Sequence, residues 1–192
     1  QAISSKLKRS SQCPALHHLR QPFALVQMAG AIFENAKTGR SSCSMTGEAI
    51  SQGSPRVGFE IWRVGRRCMT YQTPRAFFSR LVVSVAQDSR SKCKFSQAQI
   101  QAGDLCVTFT SGGAKGETPT LQLCSLAAAS SFLREAAQGS GIALRAEAVT
   151  GIRTLTSEQQ RLARDLLTGA GSKARPRKRP AASAPAPKRR RT

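Results

Sequence analysis

The sequence predicts an α+β fold, built as two small antiparallel-sheet units in tandem with helices after the second and disordered segments at both ends. Three observations predict it. Sliding the 192-residue chain by fifty positions lays Gly39–Phe59 over Ser89–Phe109, with seven identities: Arg40/Arg90, Ser41/Ser91, Cys43/Cys93, Ile50/Ile100, Gly53/Gly103, Val57/Val107 and Phe59/Phe109. A tandem repeat of that size marks two copies of one supersecondary unit. Each copy closes on residues that alternate apolar and polar at period two, the pattern of a strand with one covered face. Beyond the second copy the pattern turns helical, with an alanine-rich run and then a capping pair, Thr156 and Gln159.

Each element follows from local sequence. Residues 1–27 hold basic but no acidic side chains and read as a disordered leader or a non-native extension, with Met28 as a plausible start. Residues 28–86 form the first unit: a turn, a lone Cys43, a buried Ile50, a turn at Gly53, and a strand from Arg56 that faces Val57, Phe59 and Ile61 inward. Leu81–Val85 is a strand-sized apolar run. Residues 87–170 repeat this with Cys93, Ile100 and Gly103, and with Leu105, Val107 and Phe109 inward. A helix is then expected from Leu126 to Ala137, stopped by Gly139. A second should open at Thr156, bury a stripe of Leu155, Leu162 and Leu166, and stop at Gly169 and Gly171.

Charge is distributed unevenly. The formal net charge is +20, and residues 171–192 contribute nine basic side chains with no acid. Such a segment has no apolar bulk for a core. Its two clusters, Lys173, Arg175, Arg177, Lys178 and Arg179, then Lys188, Arg189, Arg190 and Arg191, have the spacing of a bipartite nuclear localisation signal read by an import receptor. The competing reading is a solvated tail that binds polyanions without an address. The expected location is the nucleus. No apolar run is long enough to span a bilayer, so no membrane partner is expected.

Six cysteines stand apart with no Cys-x-x-Cys pair, which in a nuclear chain means reduced thiols. Cys13 with His17 and His18 falls short of a complete ligand set and reads as a chance cluster. No histidine occurs after residue 18, and no phosphate-cradling glycine loop precedes a Lys-Ser/Thr. The chain is therefore not expected to be an enzyme.

Glu34-Asn-Ala-Lys-Thr-Gly-Arg-Ser-Ser-Cys43, continued through Glu48, Ile50, Gly53, Arg56 and Gly58, resembles the opening of a poly(ADP-ribose) polymerase-type (PARP-type) zinc finger. Gly151-Ile-Arg-Thr-Leu155 with Glu158-Gln-Gln and Leu162 is similar to that family's closing helix. The resemblance implies two finger-like units and a zinc held by Cys-x-x-Cys and His-x-x-Cys pairs. This chain departs from the pattern. In the first copy Cys43 stands with Thr46, Thr73 and Ala76 in the ligand slots. In the second, Cys93 stands with Ser96 and, on the sequence alignment, Ala128 and Ser131. One ligand of four does not hold zinc, so no cofactor is expected. Phe59, Trp62, Phe77, Phe78 and the stretch from Leu81 to Val85 are the apolar material that would offset part of the loss of zinc, with packing between the two copies and the closing helices as the remainder.

The resemblance further implies a DNA-binding module that senses breaks by gripping phosphate and covering exposed bases. Lys37 and Arg40 occupy the gripping turn and Arg56 a matching later position, while Arg90 and Lys92 repeat the turn in the second copy. Trp62, Arg63, Arg66 and Arg67 occupy the stacking loop, where an aromatic among guanidiniums would stack on a base. The alternative for Trp62 is sheet core. Two other readings stand beside DNA binding: a zinc-less protein-interaction scaffold with a partner in chromatin or DNA repair, and an RNA-binding accessory factor that uses the basic tail.

Overall fold

A computed structural model describes residues 26–28, 30–63, 65–112 and 120–170. The fold is α+β. The first unit comprises β1 (Val26–Met28), β2 (Ala31–Asn35), β3 (Ser41–Ser42), β4 (Ala49–Ile50), β5 (Pro55–Arg63), β6 (Arg66–Gln72) and the short helix α1 (Pro74–Phe78). The second comprises β7 (Val82–Val85), β8 (Leu105–Ser111), β9 (Thr120–Ser125) and α2 (Leu126–Ser140), and α3 (Ser157–Thr168) closes the chain's described part. One sheet has the order β1-β2-β5-β6, another β7-β8-β9, and β3 and β4 form a small ribbon. All these pairings are antiparallel.

The fifty-residue repeat is a repeat of backbone hydrogen bonds. Phe33 faces Val57 across β2 and β5 as Val83 faces Val107 across β7 and β8. The Ala36 N–H donates to Ser54 (2.8 Å) as that of Ala86 donates to Asp104 (2.9 Å), and Gly53 and Gly103 return the bond to Ala36 and Ala86. Val82–Val85, assigned on sequence to the first unit, is thus the opening strand of the second. β1 in turn reaches into the segment read as leader.

The cysteine loops match as well. Gly47 donates to the Cys43 carbonyl at 2.8 Å and Gln97 to that of Cys93 at 2.9 Å, both with positive φ, 74° and 58°. Glycine takes that conformation freely; glutamine is strained there, and its side chain helps by donating to the Lys94 carbonyl at 2.8 Å.

Both units share one core. Phe33, Val57, Phe59 and Phe77 of the first pack with Val83, Phe95, Val107, Phe109 and Phe132 of the second. Phe59 stacks on Phe109 at 5.2 Å between centroids, Phe77 meets Phe132 edge-on at 6.4 Å, and Phe95 lies 5.4 Å from Phe109. Gln72, fully buried, ties the units by donating to the Thr110 carbonyl at 2.8 Å. Ala36, Cys43, Ile50 and Ala76 form a separate small cluster under the first cysteine loop. The inward faces expected for β5 and β8 hold at Val57, Phe59, Leu105, Val107 and Phe109, which are buried, while Ile61, near the hairpin end, is only partly buried.

The helices depart from expectation in two places. α2 runs through Gly139 and ends at Ser140, because Gly141 is the residue that adopts the left-handed cap, φ 68°. α3 has its capping box, with Thr156 accepting from the Gln159 N–H, and ends at Gly169 in the left-handed conformation. Its core side, however, is Ala163 and Leu167 beside Leu155, while Leu162 is 50 % exposed and Leu166 only partly buried. The spacing of leucines alone hid the small Ala163.

Candidate nucleic-acid interface

The ladder between β5 and β6 decides where the cations go. Ile61 faces Cys68, Trp62 faces Arg67 and Arg63 faces Arg66 across a two-residue turn. The residues read as a stacking loop are therefore strand ends and a hairpin tip. Because side chains alternate, Glu60, Trp62, Arg67 and Met69 share the face turned away from Phe59. Trp62 is 70 % exposed, so it is not sheet core. The Arg67 guanidinium carbon lies 5.6 Å from the Trp62 ring centroid, and the same guanidinium pairs with Glu60 at 3.3 Å. Arg66 is exposed, and the Arg63 side chain lies outside the described residues.

Lys37 and Arg40 are exposed in the turn between β2 and β3. That turn follows the Asn35–Pro55 pair, at the end of the sheet opposite the hairpin tip. Trp62 lies seven residue steps along the strand from Pro55, roughly 24 Å at about 3.4 Å per step. The fold thus makes two cationic sites of the first unit, one at each end. Arg90 and Lys92 are exposed on the second unit's turn, with Arg90 3.8 Å from Asp88.

Arg56 departs from the expectation of a phosphate contact. It is 6 % exposed, and it donates from Nε and Nη2 to Glu34 Oε1 (3.1 and 2.6 Å) and from Nη1 to the Ser41 hydroxyl (3.0 Å). Its guanidinium carbon lies 3.6 Å from the Tyr71 ring centroid. The charge is spent holding the Ser41 turn onto the sheet. The second unit has Cys106 there, fully buried.

The slots that the finger resemblance gives to ligands come together, but not with ligand chemistry. Cys43 Sγ accepts from the Thr73 N–H at 3.4 Å and lies 3.9 Å from the Thr73 hydroxyl, which caps α1 by accepting from Ala76 N–H at 3.4 Å. In the second unit Cys93 Sγ accepts from the N–H groups of Ser96 and Ser125, both at 3.4 Å. Ser125 precedes α2 as Thr73 precedes α1. The second copy's slots are therefore Ser125 and Ala128, not Ala128 and Ser131: the hairpin between β8 and β9 is two residues longer, which moves the offset to fifty-two. One thiol, two hydroxyls and a methyl in each copy do not fit a tetrahedral zinc. Among the described residues no group of three or more His, Cys, Asp or Glu is placed to hold a metal.

Hydrogen bonds surround these sulfurs. Burial pushes the Cys43 thiol up, but the Thr46 hydroxyl and the N–H groups of Thr73, Met45 and Thr46 together bring it below its ordinary value. Cys93 behaves alike through Ser96, Ser125 and Phe95. At Cys124 burial, with Cys93 nearby, outweighs the N–H groups of Phe95 and Lys94 and pushes the thiol up to about 12. Burial also raises Cys106, and Asp104 adds to it.

Cys13, His17, His18 and the basic tail from Lys173 to Arg191 lie outside the described residues. The sequence reading missed the groove beside the first cysteine loop. It has a volume of about 580 Å³ and lies between Ser41–Gly47 and Met69–Tyr71. No helix among the described residues is long and apolar enough to cross a membrane. No family model and no curated protein matches this chain.

Proposed function

We propose that the chain is a nuclear, non-enzymatic DNA-binding protein in which the first unit, a PARP-type finger that has lost its zinc ligands, engages nicks or ends. The observation that carries this reading is the exposed Trp62, set among Arg66 and Arg67 at a hairpin tip. An indole on a solvated sheet face is free to cover a base that a break leaves unstacked, a contact worth about 1–3 kcal/mol. Lys37 and Arg40 supply phosphate contacts at the sheet's far end, and the basic tail adds affinity and delivers the protein to the nucleus. Binding of this kind reads DNA structure more than base identity.

The test is titration of nicked and intact duplex with a chain ending at residue 170, over a range of salt. The reading expects tighter binding to the nicked duplex and a salt slope reduced by about 1 for each of Lys37→Ala and Arg40→Ala. Equal binding to both duplexes, or none once the tail is gone, would return the first unit to the role of a scaffold.

A further inference from the structure

We infer that the outer edge of β6 is a docking site for an extended acidic peptide, which would add to the four-stranded sheet as a further strand. β6 is the last strand of its sheet. The direction of its edge groups follows from two bonds: the Tyr71 carbonyl accepts from Ser44 N–H at 2.7 Å, and the Thr73 N–H points at Cys43 Sγ. Both groups face away from β5. In an antiparallel strand every second residue aims both backbone groups the same way, so Met69 and Arg67 present theirs outward too. Among the described residues these have no backbone partner on that side.

The cysteine loop thus starts a row of edge pairing at Tyr71 and leaves it unfinished at Met69. The 580 Å³ groove opens there. Its wall includes Met69, 39 % exposed, and Ser44, whose buried hydroxyl has no partner.

Charge selects the occupant. Exposed edges are hazards that charged side chains blunt, and here Arg66 and Arg67 flank the open stretch while Arg40 precedes the loop that forms the other wall. Glu60, across the strand from Met69, is already paired with Arg67, and Glu48 lies beyond the loop. Cations on the edge disfavour a second copy of this strand. The chain's own terminal segments, 1–25 and 171–192, contain no Asp or Glu. An acidic partner with alternating small apolar residues matches both the edge and the groove, in the mode of strand addition. In the second unit the corresponding edge has Leu121 for Met69 and no arginine. The site shares Arg40, Arg66 and Arg67 with the DNA-binding reading but does not rest on it, since the peptide is held by the backbone of β6.

The test is an amide-resolved titration of the full chain with an alternating glutamate–valine hexapeptide, beside a fully N-methylated peptide of the same sequence. The hexapeptide should shift the amides of Arg67–Tyr71 and Ser41–Gly47, and the N-methylated peptide, equal in charge but without donors, should bind at least roughly tenfold more weakly. Met69→Pro, which removes the outward N–H together with the Met69 side chain, should weaken the first peptide by a similar factor, and Met69→Ala, which keeps the N–H, should weaken it less. Equal binding of both peptides overturns the proposal, as does an unshifted Met69 amide at millimolar hexapeptide. So does an oligothymidylate that fills the groove when the hexapeptide does not.

Discussion

Arg56 shows how one buried guanidinium can fix an exposed cationic turn. Its bonds to Glu34 and Ser41 and its place over Tyr71 fasten the turn that carries Arg40. Removing one member of a buried ion pair strands the other, so Arg56→Ala should cost about 3 kcal/mol in urea unfolding. Loss of DNA affinity in that variant should follow loss of folded protein. The sequence could show an arginine at a matching place but not which way it faced, since Glu34 lies twenty-two residues away. Trp62 was ambiguous for a related reason: period-two alternation puts it opposite Phe59 and Ile61, but only the sheet order shows that its face is uncovered. Cys124 gives a pH test. Its folded pKa is raised, so an unfolded thiol, with a pKa near 8.5, releases its proton first and stability falls above that pH, by at most about 1.4 kcal/mol per unit up to about 12. Cys124→Ala should remove that part of the alkaline slope in unfolding curves taken between pH 8 and 10.5, and leave the curve at pH 7 to 8 parallel to the parent.

At the scale of elements, the repeat was legible because the two copies share the residues that fix turns and core. Gly53 and Gly103 close equivalent turns, and Val57 and Val107 occupy equivalent ladder positions. The alignment failed past the hairpin, where two added residues shift Thr73 onto Ser125 and no identity marks the change. The closing segment was legible as a cap and a helix, yet its docking depends on a contact that sequence does not announce. Gly151, at φ 88°, lies so close to β7 that a Cβ would sit 2.1 Å from the Val83 carbonyl oxygen, while Val83 N–H donates to Thr150 at 2.8 Å. Gly151→Ala should therefore cost more than about 2 kcal/mol in denaturant unfolding. Thr156→Ala, which removes only the hydroxyl of the α3 cap, should cost about 1 kcal/mol. Equal effects would mean that the Gly151 contact is easily relieved.

The molecule as a whole is held by packing between its units. Five phenylalanines join the two units in one cluster, and Gln72 bridges them. Packing of this kind makes the units interdependent. Phe132→Ala, in the second unit's helix, should lower stability by about 3–5 kcal/mol and leave a single unfolding transition for near-UV signals from both units; separate transitions would show that the units fold alone. The sequence pointed to Phe59, Trp62, Phe77, Phe78 and Leu81–Val85 as the apolar material; Trp62 is exposed instead, while Phe95 and Phe132 were hidden, one in a loop and one in an alanine-rich helix. Among the described residues, the face of the first unit's sheet turned away from Phe59, with Trp62 and Arg67, is left exposed, with Arg66 exposed at the same hairpin end, and this is the surface proposed to meet DNA. The most direct measurement of that claim is nicked-duplex binding by the chain ending at residue 170, comparing Trp62→Ala and Arg66→Ala/Arg67→Ala with Arg90→Ala/Lys92→Ala. The account predicts roughly tenfold or greater loss for each first-unit variant and less than about twofold for the second-unit variant. Equal losses from the two units, or unchanged binding after Trp62→Ala, would contradict it.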